Sequence, residues 1–408
     1  MSIPKYFMWD FYSIVEVGAG CRTFVPQRFE DMACKRIGLI TDAGIVKAGI
    51  VEEVLNVFTA QGQPKIVGIY DKIEPDAVMH RINDCASWCR GLAIDGLLAV
   101  GGGSVLDSVK GVKAVLGMGV TDIKEIMPGN IGPYLRPMGK PLGIPHIAIP
   151  TTAGTGAESS PIAVIYNAEA KVKGDLLHPY LPADYAFLDP DFTLGLPPEI
   201  TAFTGFDALS HAIEAISSPG ANSMIDGLAV QAIKLIRKYL PMAISDGRDL
   251  EARTQMLIAS NMAIMAFAMS GLFYPIHNVA HAVGGQLRIS HGEAIAVLIP
   301  IMMDNYPDHY LNRAEVLADA FGIRISKIDE EKVSKLGFIS HRSAEELVSL
   351  ATEEVRDLQK KCGIGPKFRE GISAEVMEGL FWAVKFDPAG IFYPLTDDII
   401  RKTLQDAF

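Results

Sequence analysis

The stretch Gly96-Leu97-Leu98-Ala99-Val100-Gly101-Gly102-Gly103-Ser104-Val105-Leu106-Asp107 passes from a continuous apolar run through three glycines into a helical pattern that carries Asp107 and Lys110. A short run of this kind, ending in glycine and continuing into a helix, is the strand–turn–helix unit of a parallel sheet buried on both faces. Outward from it the same rhythm repeats. Strands are predicted over 37–41, 65–70, 96–100 and 146–150, and helices over 46–60, 76–88 and 105–116. Alternation of this type implies an α/β sheet with right-handed crossovers. The glycines at 101–103 let backbone N–H groups approach a ligand, and the helix N-terminus that follows favours a diphosphate. A structural turn accounts for the same glycines equally well.

A second loop with the same position and character is Pro150-Thr151-Thr152-Ala153-Gly154-Thr155-Gly156-Ala157-Glu158, which combines hydroxyls with unhindered backbone after a strand. Two such loops at strand ends are harder to explain as turns alone, because ligands of open α/β sheets bind at the C-terminal ends of the strands. Asp42 ends the first strong strand. A carboxylate there accepts from an adenosine ribose and repels a 2'-phosphate, or it caps the helix that follows.

Beyond the proline-rich stretch from Leu188-Asp189-Pro190 to Pro197-Pro198 strand signals disappear, and helices are predicted over 199–217, 222–239, 250–269, 291–305, 342–361 and 374–384. This divides the chain into 1–194 and 195–408. The uncharged run 256–274 contains Ser260, Asn261 and Ser270 and is read as a buried core helix rather than a membrane span.

The second half holds most of the candidate metal chemistry. In Phe203-Thr204-Gly205-Phe206-Asp207-Ala208-Leu209-Ser210-His211-Ala212-Ile213-Glu214, Asp207 and His211 share a helix face, and the apolar residues around them imply burial that is costly without a partner. In the segment His277-Asn278-Val279-Ala280-His281, then Gly284-Gly285 and His291-Gly292, three of the nine histidines fall close together. Together with Asp207 and His211 they form a metal-site candidate. A carboxylate with imidazoles suits Fe(II), Zn(II), Mn(II) or Ni(II).

The bulk numbers exclude other classes. With 408 residues, 49% hydrophobic content and a net charge of -11, the chain is globular and has no electrostatic footprint for nucleic acid or anionic membrane. Small molecules are the expected partners. The N-terminus lacks the pattern of a signal peptide, so a cytoplasmic location is the expectation. The five cysteines form no Cys-x-x-Cys; Cys85 and Cys89, one helical turn apart, are read as buried small hydrophobes.

Taken together, Gly101-Gly102-Gly103-Ser104 with Asp107, the 151–158 loop, the Asp207/His211 helix and the series His277, His281, His291 occur in an order and spacing that resemble the iron-containing (group III) alcohol dehydrogenases along nearly the whole chain. The resemblance implies a dinucleotide-binding α/β N-terminal domain with a parallel sheet and an all-α C-terminal metal-binding domain, with the active site between them. It implies cofactor contacts from Asp42, Gly101, Gly102, Gly103, Ser104, Asp107, Thr151, Thr152, Gly154 and Thr155, with NAD favoured by Asp42 and NADP left open. It assigns one divalent metal to Asp207, His211, His277 and His291, with Fe(II) the first expectation, and gives His281 a non-ligand role in a proton relay. The activity implied is hydride transfer between a small alcohol or aldehyde and the nicotinamide, by a homodimer or larger homo-oligomer. Ala157, Tyr274-Pro275-Ile276 and Phe392-Tyr393-Pro394 depart from the family's usual residues and bear on the substrate, which stays open among simple alcohols, diols and hydroxyacids. Two related alternatives fit less well. A metal-independent enzyme like maleylacetate reductase has no need of the full ligand set. A lyase like 3-dehydroquinate synthase needs basic partners for its phosphorylated substrate, and the 277–291 segment supplies only Arg288.

Overall fold

The computed structural model describes residues 7–59, 62, 64–132, 139–271, 273–328, 339–368, 371–391 and 393–408. The predicted helix end Ala60 and the noted residue Phe392 lie outside them. The strands predicted at 37–41, 65–70, 96–100 and 146–150 form as β2 (Arg36–Ile40), β3 (Lys65–Tyr70), β4 (Gly96–Gly101) and β5 (His146–Pro150). With β1 (Ile14–Val17) and β8 (Tyr185–Leu188) they make a six-stranded sheet in the order β1-β8-β5-β4-β2-β3, and every pairing is parallel.

The two-residue period of a strand explains the packing. Leu97, Ala99 and Ala148 enter the core on one side of the sheet, whereas Leu98, Val100, Ile147 and Ile149 enter the core on the other. Helices cover both faces, so the central strands β4 and β5 are buried at every position.

Between β5 and β8 an antiparallel hairpin, β6 (Ile162–Asn167) and β7 (Val172–Leu177), breaks the parallel rhythm. It was not among the predicted elements. The helix predicted at 46–60 is two short helices, Ala43–Lys47 and Ile50–Leu55, because Gly49 between them takes φ +79°, outside the helical region. The helix predicted from Asp76 starts only at Met79, since Asp76 and Ala77 both have positive φ.

From Pro198 onward helices dominate, and Leu250–Met269 and His291–Asn305 coincide with their predicted bounds. The run read as a core helix is helical only to Met269; that helix packs with Pro198–Ser217 and Ser223–Ser245 around one large apolar core, and Ser270, Gly271, Phe273 and Tyr274 lie beyond its end. Among the described residues no helix is long and apolar enough to cross a membrane. One feature differs from the all-helical expectation: a two-stranded antiparallel sheet forms from β9 (Ser326–Ile328) and β10 (Ile339–His341). The helix Pro275–Leu287, which carries His277 and His281, was not among the predicted ones. Its apolar stripe is interrupted by histidines, which hides the period; Pro275 in its first turn is the signal that marks its start. All five cysteines are free and buried.

Leu39, in β2, is fully buried. Leu39→Ala is expected to destabilise the fold by about 2–5 kcal/mol through lost transfer energy and a residual cavity, read as a lower denaturation midpoint.

Candidate active site

A cleft of about 670 Å³ opens between the C-terminal ends of the parallel strands and the helical unit. Its sheet side is built by the two glycine-containing loops. Because β4 and β5 are neighbours, the loops that follow them touch: Thr151 N–H donates to Gly101 O, and a Cβ on Gly103 would come within 2.6 Å of Thr155 Cγ2. The helix Gly103–Gly117 starts at this junction with its N-terminus at the cleft. Gly102, Gly103, Ser104, Asp107, Thr151, Thr152 and Thr155 all line the cleft. Gly101 and Gly154 do not, and their roles are in packing. A Cβ on Gly154 would lie 2.8 Å from Thr204 O, so this glycine lets the loop sit directly on the backbone of helix Pro198–Ser217.

Asp42 is a helix cap at the edge of the cleft. Its Oδ1 accepts from Gly44 N (2.7 Å) and Ile45 N (3.0 Å) and caps the helix Ala43–Lys47, while the residue also lines the cleft. Asp107 lines the cleft too, yet the protein engages both its oxygens: Lys110 Nζ donates to Oδ1 (3.0 Å) and Val164 N to Oδ2 (3.1 Å). It ties the phosphate-loop helix to β6.

The helical side holds the metal candidates. Asp207 and His211 lie one turn apart on helix Pro198–Ser217, which is buried along most of its length. Around Asp207 Oδ1 the Nε2 atoms of His291, His277 and His211 stand at 3.4, 3.6 and 4.0 Å. Asp207, His211 and His277 each bring a candidate ligand atom within 4.8 Å of the others, and His291 closes the group through its contact with Asp207. Asp207 Oδ1 and His277 Nε2 are buried with no hydrogen-bond partner, a costly state that a shared cation would relieve. The residues present therefore fit a divalent ion. Gly292 makes the convergence possible. A Cβ there would meet Phe203 O at 2.8 Å, so only glycine lets the helix His291–Asn305 start against the backbone one turn before Asp207.

Burial lowers the pKa of His211 to about 3 and also lowers that of His291, leaving both as neutral imidazoles able to ligate. Burial acts the same way on His277, but the carboxylates of Glu214 and Asp207 outweigh it and raise its pKa to about 9. Asp207 is held well below the usual carboxylate range: burial opposes ionisation, and the surrounding imidazoles prevail.

Glu214 is the functional residue that sequence reasoning missed. Fully buried, it accepts from Ile276 N (2.7 Å) through Oε1 and forms a short contact with His277 Nδ1 through Oε2. This fixes the His277 tautomer, with Nδ1–H toward Glu214 and Nε2 toward Asp207. The available signal was helical spacing, since Glu214 follows His211 by three positions and Asp207 by seven. His281 sits one turn beyond His277, its ring 5.4 Å from that of His291 and its Nδ1 3.8 Å from Asp387 Oδ1. Burial holds its pKa well below the ordinary value.

Comparison with known proteins places this chain in one family. Residues 13–190 match the family described as iron-containing alcohol dehydrogenase, and residues 201–380 match the Fe-containing alcohol dehydrogenase family, C-terminal. The chain is 35% identical over 341 residues to long-chain-alcohol dehydrogenase 1 of Geobacillus thermodenitrificans, covering 83% of this chain and 81% of that protein. It is also 35% identical over 286 residues to the NAD-dependent methanol dehydrogenase of Bacillus methanolicus, covering 70% and 72%. A crystal structure of 1,3-propanediol oxidoreductase superposes with a TM-score of 0.85 at 28% identity, covering 99% of this chain and 100% of that one. The chain belongs to the iron-containing alcohol dehydrogenase family, and its function is that of an alcohol dehydrogenase.

Glu214→Gln keeps the side-chain volume but removes the charge that orients His277. Divalent-ion affinity should fall about 10–100-fold, as for other outer-shell partners of ligating histidines, in a chelator-competition titration with the circular dichroism spectrum unchanged.

Proposed function

We propose that the chain interconverts a small alcohol and its aldehyde with NAD as the nicotinamide cofactor, using one divalent ion held by Asp207, His211, His277 and His291. The observation that carries this reading is the approach of three imidazole Nε2 atoms to the unpartnered Asp207 Oδ1 at the cleft wall opposite two contiguous loops at strand ends. Residues 1–194 form the dinucleotide-binding unit and 195–408 the metal-binding unit. When bound, NAD supplies the hydride acceptor and the ion supplies Lewis acidity that lowers the pKa of the alcohol hydroxyl.

The chain's own residues do the rest. Backbone N–H groups at the start of helix Gly103–Gly117, with the hydroxyls of Ser104, Thr151, Thr152 and Thr155, cradle the diphosphate. Asp42, with Oδ1 committed to its cap, offers Oδ2 to the ribose, which favours NAD over NADP. Glu214 orients His277. His281, lining the cleft beside His291 and near Asp387, takes up or passes on the hydroxyl proton as a neutral imidazole. Phe267 and Tyr274, stacked with ring centroids 3.9 Å apart, form an apolar wall that keeps bulk water from the ligand cluster. Fe(II) is the first candidate for the ion, with Zn(II), Mn(II) and Ni(II) sharing the same donor preferences. A homodimer or larger assembly accords with the sheet edge at β1, where Ile14 and Val17 are exposed.

Anaerobically prepared protein should oxidise NADH with small aldehydes in a chelator-sensitive manner and restore activity on addition of Fe(II). Activity that resists the chelator would sink the metal assignment. His281→Ala should lower turnover on the order of 10²-fold while the ion content, measured by mass spectrometry, stays at the wild-type level. Loss of the ion in that variant would make His281 a ligand instead. Asp42→Ala should raise kcat/KM with NADPH relative to NADH, and an unchanged ratio would leave Asp42 as a helix cap only.

A further inference from the structure

The hairpin β6–β7 lies across the cleft and presents one face to it. Ile162 pairs with Leu177 and Val164 with Asp175, and these four residues, with Lys173, line the cleft. The opposite face, Ala163, Ile165 and Leu176, is sealed in the core of the sheet unit. The alternation is that of a strand with one buried face, so the side chain at 175 has no route away from the cleft short of a register shift. On a wall otherwise made there by Ile162, Val164 and Leu177, position 175 carries a carboxylate.

Among the described residues, nothing pairs with the Oδ1 atom of that carboxylate. Asp175 Oδ1 is buried without a hydrogen bond. Lys173, two residues earlier on the same face, is committed elsewhere: its Nζ stands 2.9 Å from Asp76 Oδ1, and Asp76 is also paired with Arg288. The other charged groups that act with Asp175 are the His277 imidazole, which favours its ionisation, Asp107, which opposes it, and Asp387, whose own carboxyl the Asp175 charge helps to hold up. Burial dominates and lifts its pKa to about 7. A buried polar atom left unpaired costs free energy, and a site that retains one toward a ligand cavity discriminates strongly for ligands that satisfy it.

We propose that Asp175 is a specificity-determining residue that contacts the substrate: the preferred alcohol or aldehyde carries, on a short chain, a second group that donates a hydrogen bond to this carboxylate, either a hydroxyl or an ammonium. This inference rests on the alcohol dehydrogenase reading of the same cleft. It selects bifunctional alcohols over plain alkyl ones. A neutral second hydroxyl and a cationic amine share the donor chemistry, and they differ in what they ask of the carboxylate: the hydroxyl needs an acceptor oxygen, whereas the ammonium needs the charge.

The experiment compares kcat/KM for three near-isosteric substrates, 1-butanol, 1,3-propanediol and 3-amino-1-propanol, in the wild type, Asp175→Asn and Asp175→Val, each loaded with the same ion and with ion content measured alongside. The wild type should favour at least one donor-bearing substrate over 1-butanol by about tenfold or more. Asp175→Val should invert that ratio by raising the efficiency with 1-butanol and lowering it with the donor-bearing substrate, with ion content unchanged. Asp175→Asn, which keeps an acceptor oxygen but not the charge, should retain the preference if the second group is a hydroxyl and lose it if the group is an ammonium. A wild type that prefers 1-butanol, or a ratio that moves less than twofold in Asp175→Val, overturns the role of Asp175 while leaving the dehydrogenase reading intact. Failure of the ion-loaded wild type to oxidise any of the three or to reduce any small aldehyde overturns both.

Discussion

A carboxylate taken out of water must be compensated, and the environment of Asp207 is organised by that need. The residue is 2% exposed, and its Oδ1 has no hydrogen bond. Burying an isolated ionised carboxylate is costly enough that proteins neutralise it, pair it or give it to a metal. Here three imidazoles from three helices converge on one oxygen, and the close approaches that bring them together depend on glycine. Gly292 lets the helix His291–Asn305 begin against Phe203, and Gly154 lets the loop after β5 rest on Thr204. The same turn of helix Pro198–Ser217 thus receives both the last metal-ligand candidate and the cofactor loop. A single backbone contact region sets the distance between the two halves of the chemistry.

Electrostatics in the cleft follow from the sequence of shells around that oxygen. His211 and His291 are kept neutral by burial, while His277 is drawn toward the charged form by Glu214. Glu214 also accepts from the backbone at Ile276, so it holds the start of helix Pro275–Leu287 as well as the ring it orients. Asp207 faces the imidazole cluster and Glu214 orients one of its rings, two roles separated by two helical turns on a single element. Asp107 illustrates the opposite case. It lines the cleft, and its oxygens also accept from Lys110 and Val164, which holds the hairpin against the helix Gly103–Gly117. The hairpin in turn supplies Asp175, which lines the cleft beside Ile162, Val164 and Leu177.

Much of this was legible in the chain itself. The buried strands β4 and β5 declare themselves because both faces are covered, so every position except His146 is apolar and the run ends at glycine or threonine where the cleft begins. The helices Leu250–Met269 and His291–Asn305 are readable to the residue because Asp249 and Ser290 cap them through side-chain hydrogen bonds. The candidate ligands were visible as the clustering of polar, metal-preferring side chains inside apolar surroundings, a combination that local energetics alone does not favour.

What sequence could not supply is whatever depends on contacts between distant segments. Gly49 breaks a helix whose apolar period continues across it, and Asp76 takes a left-handed conformation while paired with Lys173 and Arg288 from far along the chain. The edge strand β1 is too short and too exposed to carry a strand signature. Glu214 and Asp175 are ordinary acidic residues in one dimension; only folding places one behind His277 and the other, unpartnered, on the cleft wall. Periodicity and local chemistry determined the elements and the kinds of ligand this protein offers. Which oxygen the imidazoles surround, and which carboxylate is left facing the cleft, were decided by tertiary packing, because pairing and desolvation are properties of neighbours in space.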